Sequence, residues 1–193
     1  VFNGRIPFLK FFIKRELVWL PFLGLSWWAL DMPFMKRYSK KYLEKNPAKR
    51  GQDVEATKKA CRKFRNVPTS VINFVEGTRF TESKKITSRS PYHNLLKPKA
   101  GGIAMAIAAM GDMFDKILDV TIVYPKGIVS FWDMLCGKFD SVAVDVVKKP
   151  IEKWMIASDY DNCIEDRKRF QLWLSELWKI KESKITKMKR GEL

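Results

Sequence analysis

Short apolar runs and helical apolar stripes follow one another along this chain, and their order predicts its elements. Nearly continuous apolar runs are typical of strands covered on both faces. They lie at Leu9–Ile13, Pro33–Lys36, Val71–Val75 and Val120–Tyr124. Ser141–Val147 alternates between apolar and polar residues, which predicts a further strand at an edge of the sheet.

Apolar residues at helical spacing predict four helices between these strands. The helices are Asp53–Phe64, with Asp53 as N-cap, Ala100–Met110, Phe131–Leu135 and Asp159–Lys181. The last of them carries Phe170, Trp173, Leu174, Leu177 and Trp178 on the face that we expect to form core. Thr81–Tyr92 is polar and basic, which predicts a mobile loop.

The alternation of strands and helices predicts an α/β fold. We expect a single domain over residues 1–181, with a mostly parallel central sheet flanked by helices on both faces. Residues 182–193 are rich in lysine and are predicted to form a disordered, basic tail.

The net charge of +16 narrows the choice of partners, because it is concentrated in one half of the chain. Residues 1–100 hold 22 Lys and Arg against 7 Asp and Glu. Such a field attracts nucleic acid, anionic lipid headgroups or phosphorylated ligands. The segment from Lys36 to Arg50 alone has seven basic residues, which together are able to dock on anionic lipid.

An uncharged segment from Leu17 to Leu30 includes Trp19, Trp27 and Trp28. Its fourteen residues are fewer than the roughly 20 that a spanning helix needs. Indole rings favour the headgroup boundary, so an element lying in the bilayer surface fits this pattern. A helix packed on the sheet fits it equally well.

The sequence VINFVEGTRF at Val71–Phe80 joins a buried strand to a polar turn. Gly77 permits positive φ or close approach of a ligand. Arg79 offers a planar fork of donors that suits phosphate or carboxylate. Glu76 has the chemistry to hold that fork or to bond a substrate hydroxyl. A polar turn closed by its own Glu76–Arg79 ion pair explains the same residues.

VINFVEGTRF resembles the EGTR block of the glycerolipid acyltransferases of the lysophosphatidic acid acyltransferase type. Three other stretches are similar to that family's blocks, in the family's order: LKFFIKRELVWLPFLG at Leu9–Gly24, DMPFMKR at Asp31–Arg37 and DVTIVYP at Asp119–Pro125. The run SPYHNLLKPKAGGIAMAI looks closest to a branch of bacterial inner-membrane enzymes known only as probable acyltransferases.

The resemblance implies acyl transfer from a thioester donor, acyl-CoA or acyl carrier protein, to a lysophospholipid or glycerol phosphate hydroxyl. It implies an acceptor site formed by Lys14, Arg37, Glu76, Gly77, Thr78 and Arg79, with no metal and no bound cofactor. It also implies an enzyme at an anionic membrane surface, on the cytoplasmic face of a bacterial inner membrane, with no nucleic-acid partner.

One family block is absent from the sequence, the catalytic histidine followed five positions later by aspartate. His93 is the only histidine, and Pro98 stands where the aspartate would be. We therefore expect the catalytic pair upstream of Val1, and we expect this chain to be inactive without it. Two rival readings of the charge stay open, a nucleic-acid-binding module and a non-catalytic membrane-surface protein. No recognised nucleic-acid motif supports the first.

Overall fold

The computed structural model describes residues 7, 9–11, 13–32, 34–35, 45, 52–125, 127, 130–138 and 141–192. The helices in this part of the chain are α1 (Leu23–Ala29), α2 (Gln52–Cys61), α3 (Glu82–Thr87), α4 (Ala100–Met110), α5 (Phe131–Leu135), α6 (Lys153–Ala157) and α7 (Ile164–Arg190). Short 3-10 helices lie at Arg15–Trp19, Arg62–Asn66 and Gly111–Met113. The strands are β1 (Leu9–Phe11), β2 (Ile13–Lys14), β3 (Phe34–Met35), β4 (Ser70–Ile72), β5 (Ile117–Val123) and β6 (Ala143–Lys149).

These strands form three separate pairs. β1 lies parallel to β4, with Lys10 opposite Val71, and β2 lies parallel to β3, with Lys14 opposite Met35. β5 and β6 are antiparallel over their full length. The chain is thus a mixed α/β domain, but its described strands do not form the single, mostly parallel sheet that the sequence predicts. Apolar runs locate strands, whereas the connections between strands decide direction and pairing, and these runs carry no information about the connections.

The main core lies between α4, α7 and the β5–β6 pair. Its buried side chains include Ala104 and Ile107 of α4, Val123 of β5, and Phe170 and Leu174 of α7. Phe170 is fully buried and meets Trp154, Tyr160 and Trp173 edge to face. The apolar face predicted for the last helix is confirmed, since Phe170, Leu174, Leu177 and Trp178 all belong to this core.

The helix α7 continues nine residues beyond Lys181, so residues 182–190, predicted as disordered tail, are helical. Tertiary contacts explain the difference. Ile185 is buried and Met188 packs against the core, while Lys184 pairs with Asp145 of β6. Lysine-rich composition predicts disorder only where no apolar residue at helical spacing reaches a core. None of the described helices combines the length and the apolar character needed to cross a bilayer.

The uncharged segment Leu17–Leu30 forms a 3-10 turn followed by α1, and most of its large apolar side chains face solvent. Trp19 is 86% exposed and Phe22 is 87% exposed. Leu20, Leu23, Leu25, Trp28 and Leu30 are exposed as well. We call these seven side chains the α1 apolar surface. Within the described structure they do not pack as a helix buried on a sheet would.

Candidate functional site

The turn that follows β4 is held by backbone hydrogen bonds on both sides. The Gly77 N–H donates to the carbonyl of Phe74 at 2.9 Å, and the Lys99 N–H donates to the carbonyl of Val75 at 2.9 Å. Gly77 has φ of +70°, a conformation that suits glycine. The second of these bonds places the turn directly beside the start of α4.

Arg79 is exposed, and its guanidinium forms no hydrogen bond or ion pair with any described residue. The Glu76–Arg79 ion pair that would make this a self-contained polar turn is therefore not formed. Arg79 presents a free, bidentate donor group at the end of a tightly held turn. Such a group suits the recognition of a phosphate or carboxylate.

Glu76 points into the protein instead. It is partly buried, and its carboxylate accepts a hydrogen bond from the Leu96 N–H. Burial raises the pKa of Glu76 above its ordinary value, while the Leu96 N–H and the charge of Lys181 lower it by less. Glu76 thus lies towards the segment before α4, and it forms no ion pair with Arg79.

The helix α3 replaces part of the mobile loop predicted over Thr81–Tyr92. Thr81 caps it, since its side chain accepts a hydrogen bond from the Lys84 N–H at 3.2 Å. The Lys84 ammonium then donates to Thr78 Oγ1 at 2.7 Å and to the Arg79 carbonyl at 3.2 Å. A helix with no buried residue lacks the apolar stripe that would have revealed it in the sequence. The capping pattern of Thr81 was the available signal.

Lys99 adds a second ammonium beside the turn. A Cβ built on Gly77 would lie 3.5 Å from Lys99 Nζ, so the lysine side chain covers that face of the glycine. The turn therefore carries three cationic side chains, those of Arg79, Lys84 and Lys99. Of these three cationic residues, the family motif includes only Arg79. The two lysines are residues that sequence reasoning missed, although the basic run KPKAGG was visible.

The structure brings Lys14 to the end of β2, where its backbone pairs in register with Met35 of β3. Parallel strands with this register end at the same edge, which is where α/β proteins bind ligands. Arg37 follows β3 by two residues and lies outside the described residues. Its part in a phosphate site therefore stays a prediction. The Lys14 side chain is likewise not described.

Gly102, near the start of α4, lies against Asn73. A Cβ on Gly102 would come within 3.0 Å of Asn73 Oδ1, so this glycine permits close packing of the helix on the residue that follows β4. The Asn73 Nδ2 group is buried and has no hydrogen-bond partner among the described residues. This contact indicates that Gly102 lets α4 pack closely on the end of β4.

His93 lies in an exposed loop that α7 holds through the backbone. The N–H groups of His93 and Asn94 donate to the Glu182 carboxylate at 3.1 and 3.0 Å. No described carboxylate forms a hydrogen bond or ion pair with the His93 imidazole. The residue therefore lacks the orienting partner that a histidine base needs.

Comparison with known proteins identifies relatives by sequence. Residues 3–125 match the model of the Acyltransferase family. The mouse 1-acyl-sn-glycerol-3-phosphate acyltransferase delta is 26% identical over 186 residues, which cover 90% of this chain and 44% of the relative. The human gamma enzyme of that name is 25% identical over 93% of this chain and 46% of its own length.

A 1-acyl-sn-glycerol-3-phosphate acyltransferase 2 from Brassica oleracea is 32% identical over 124 residues, 59% of this chain and 29% of the relative. The chain thus spans less than half the length of these curated relatives. No solved structure matches it.

Proposed function

The chain belongs to the acyltransferase family, and we propose that it serves the transfer of a fatty acyl group to the hydroxyl of a lysophospholipid or similar glycerol phosphate. The observation that carries this proposal is the exposed guanidinium of Arg79, which pairs with no described residue and belongs to the Gly77 turn that the ammonium groups of Lys84 and Lys99 also reach. A phosphate monoester suits this turn, because a guanidinium fork is able to bond two of its oxygens and the nearby ammonium groups complement its charge.

The reaction forms an ester bond between the acceptor oxygen and the acyl carbon and breaks the carbon–sulfur bond of the donor. The acceptor proton leaves through a general base, and the thiol of acyl-CoA or acyl carrier protein departs. In the family that the sequence resembles, this base is a histidine oriented by an aspartate, in a block ahead of the lysine that Lys14 matches. Arg79, Lys14 and Arg37 hold the acceptor phosphate so that the hydroxyl meets that base. Glu76, Gly77 and Thr78 shape the acceptor pocket.

We further propose that the α1 apolar surface inserts into the headgroup region of an anionic membrane, at the cytoplasmic face of a bacterial inner membrane. Seven exposed apolar side chains within twelve residues support this, because solvent-facing patches of this kind mark interaction surfaces. The net charge of +16 complements anionic lipid. A lysophospholipid acceptor is found in the same interface.

The test compares Arg79→Ala, Arg79→Lys and the control Arg89→Ala, an exposed arginine ten residues further along the chain. Turnover is measured on a chain extended ahead of Val1 by a His-x4-Asp segment, and lysophosphatidate binding on the 193-residue chain. Both Arg79 variants should bind the acceptor at least tenfold more weakly, since an ammonium does not reproduce the fork. Arg89→Ala should behave as the parent does.

Normal acceptor kinetics in Arg79→Ala would overturn the assignment. Vesicle flotation with and without anionic lipid, run beside a thioester-donor assay, separates the rivals. DNA binding at physiological salt with no affinity for lipid would favour a nucleic-acid module. Lipid binding with no turnover in the extended chain would favour a non-catalytic membrane protein.

A further inference from the structure

Two phenylalanine rings stack on each other at the end of the parallel strands β1 and β4. The ring centroids of Phe11 and Phe74 lie 6.4 Å apart, with 10° between the ring planes, which is typical of offset stacking. Phe11 is the last residue of β1 and lies opposite Ile72, the last residue of β4, and Phe74 follows two residues later. The pair thus lies at the carboxyl edge of these strands, where α/β proteins bind ligands.

Both rings stay exposed although they contact each other. Phe74 is 72% exposed and Phe11 is 36% exposed. A stacked pair inside a core would be buried, and a lone exposed phenylalanine would be ordinary on a protein surface. Two exposed rings side by side, at an edge where ligands bind, offer apolar area that an apolar group of a ligand is able to cover.

Phe74 is also the first residue of the Gly77 turn. The Gly77 N–H donates to the Phe74 carbonyl at 2.9 Å, and a β-turn closed in this way holds the two Cα atoms within about 7 Å. Arg79 follows two residues later, so its Cα lies at most about 14 Å from that of Phe74. The hydrocarbon core of a bilayer is about 30 Å thick, so one extended lipid tail covers about 15 Å. A lipid whose phosphate meets Arg79 is therefore long enough to reach the Phe74 ring.

The other ring of the pair adjoins the α1 apolar surface. The Phe11 N–H donates to Met32 Sδ at 3.4 Å, and the Lys10 ammonium donates to the carbonyl of Leu30, which belongs to that surface. The end of β1 is thus tied to the segment that follows α1. Phe11 and its partner ring therefore join the α1 apolar surface to the turn after β4.

An exposed apolar pair beside a cationic turn suits an amphiphilic anion. Glycerol 3-phosphate would engage the cations and leave both rings in water, whereas a lysophospholipid brings a phosphate and one tail in a single molecule. We propose that Phe11 and Phe74 bind the tail of the acceptor, so that the acceptor is a single-chain phospholipid rather than glycerol 3-phosphate. This inference rests on the proposed acyl transfer, in which Arg79 holds the acceptor phosphate.

The experiment measures binding to the 193-residue chain by calorimetric titration, with ligands kept below their critical micelle concentrations. The ligands are lysophosphatidate with a longer tail, lysophosphatidate with a shorter tail, and glycerol 3-phosphate, which has no tail. The variants are Phe74→Ala, Phe11→Ala and Phe74→Leu, which keeps an apolar side chain without the ring. Trp132→Ala is the matched control, since Trp132 is an aromatic residue with the same 72% exposure, on α5. Arg79→Ala tests the phosphate contact separately.

The parent should bind lysophosphatidate more tightly as the tail lengthens, and glycerol 3-phosphate more weakly than either. Affinity for the longer-tailed lysophosphatidate should fall about tenfold in Phe74→Ala and about threefold in Phe11→Ala, whose ring is less exposed. Phe74→Ala should also weaken the dependence on tail length, and Phe74→Leu should lose less affinity. Both alanine variants should bind glycerol 3-phosphate as the parent does, which shows that the turn is intact. Trp132→Ala should match the parent with every ligand.

Arg79→Ala should weaken the binding of all these ligands alike, so the two sites are tested independently. Parent affinity and parent tail dependence in Phe74→Ala, together with a loss in Arg79→Ala, would overturn the tail site and leave the proposed function standing. A loss in Phe74→Ala with none in Arg79→Ala would reject the phosphate site of the proposed function and keep the aromatic pair as a tail site. A parent chain that binds none of these ligands would reject both.

Two further measurements separate the acceptor tail from other apolar groups. In the extended chain, Phe74→Ala should raise KM for lysophosphatidate and leave KM for the thioester donor unchanged. A rise confined to the donor would assign the pair to the donor's acyl chain and overturn the inference. Flotation on anionic vesicles should be the same in Phe74→Ala as in the parent. A loss on vesicles with no loss for monomeric lysophosphatidate would make the pair part of the membrane-inserting surface, which would also overturn the inference.

Discussion

The ammonium of Lys84 lies 2.7 Å from Oγ1 of Thr78 and also bonds the carbonyl of Arg79, so one side chain holds two consecutive residues of the Gly77 turn. Lys84 reaches them because Thr81 caps the helix on which it lies. The Thr78 hydroxyl and the Arg79 backbone are thus held by a six-residue helix that has no buried side chain.

Replacing Lys84 should therefore impair acceptor binding. We expect Lys84→Met to weaken lysophosphatidate affinity about three- to tenfold, the cost of hydrogen bonds that no longer fix the turn. Calorimetric titration of the acceptor measures this. Lys85→Met is the control, because Lys85 lies on the same helix and pairs with Glu82. Equal affinities in both variants would mean that Lys84 has no part in the site.

Gly77 should resist substitution because of its backbone conformation. At φ of +70° an alanine costs about 1–2 kcal/mol of unfolding free energy, although its Cβ would make only ordinary contacts with Lys99. Gly191, at φ of +73° with open space around it, gives a matched control. Urea denaturation should show similar losses in Gly77→Ala and Gly191→Ala, whereas acceptor affinity should fall in Gly77→Ala alone. A fall in both would indicate a general effect of stability on binding.

The raised pKa of Glu76 predicts how a neutral replacement behaves. Because the folded-state pKa exceeds the unfolded-state pKa, the folded protein binds this proton more tightly. The contribution of Glu76 to stability is therefore fully present below the unfolded pKa and is lost as pH rises through the folded pKa. The glutamine in Glu76→Gln does not titrate. The unfolding free energy of this variant minus that of the parent should therefore increase as pH rises from the unfolded-state pKa to the folded-state pKa of Glu76.

Urea denaturation at about pH 4 and about pH 7, on either side of the ordinary pKa of a glutamate, measures this difference. Glu82→Gln, at an exposed position on α3, controls for loss of a surface charge. A Glu76→Gln variant that loses stability relative to the parent as pH rises would show that folding favours the carboxylate, and that burial is not the dominant influence on this group.

The α1 apolar surface should govern membrane affinity. Trp19→Ala and Phe22→Ala should each lower partitioning onto anionic vesicles about tenfold, given about 1.5–3 kcal/mol for burying a large apolar side chain. Trp132→Ala is the control, because Trp132 is 72% exposed but lies on α5. Flotation with anionic vesicles measures the apolar and the electrostatic contributions to binding together, and flotation with zwitterionic vesicles measures the apolar contribution alone. An equal loss in Trp132→Ala would mean that binding is not confined to the α1 apolar surface.

Elements with a strong apolar period were predictable from the sequence. Ala100–Met110 and Phe131–Leu135 appear with the bounds that the pattern predicts. The last helix was located, but its predicted start at Asp159 falls five residues too early. Its continuation past Lys181 depends on the fit of Ile185 into a distant core. Strand pairing was not predictable, because it depends on contacts between segments far apart in the chain.

The residues of the candidate site likewise fall into those that the sequence predicts and those that only the structure reveals. Gly77 and Arg79 could be identified as candidate site residues, because they lie in one contiguous motif and their properties follow from their residue types. Lys84 and Lys99 could not, because the motif does not include them and only the folded structure brings their side chains to the turn. The core shows the same limit, since Lys181 belongs by composition to a solvated, charged helix face, yet the structure buries it against β5.

The last prediction concerns turnover by residues 1–193 alone. These residues contain one histidine, and His93 has neither an aspartate five positions later nor a described carboxylate against its imidazole. General-base assistance is worth about 10²–10⁴ in rate, so the chain should show no acyl transfer above background while still binding lysophosphatidate. Adding a His-x4-Asp segment ahead of Val1 should restore turnover, and His93→Ala should change neither binding nor the restored rate. Robust turnover by the 193-residue chain that is lost in His93→Ala would place the general base in this loop and remove the need for any other.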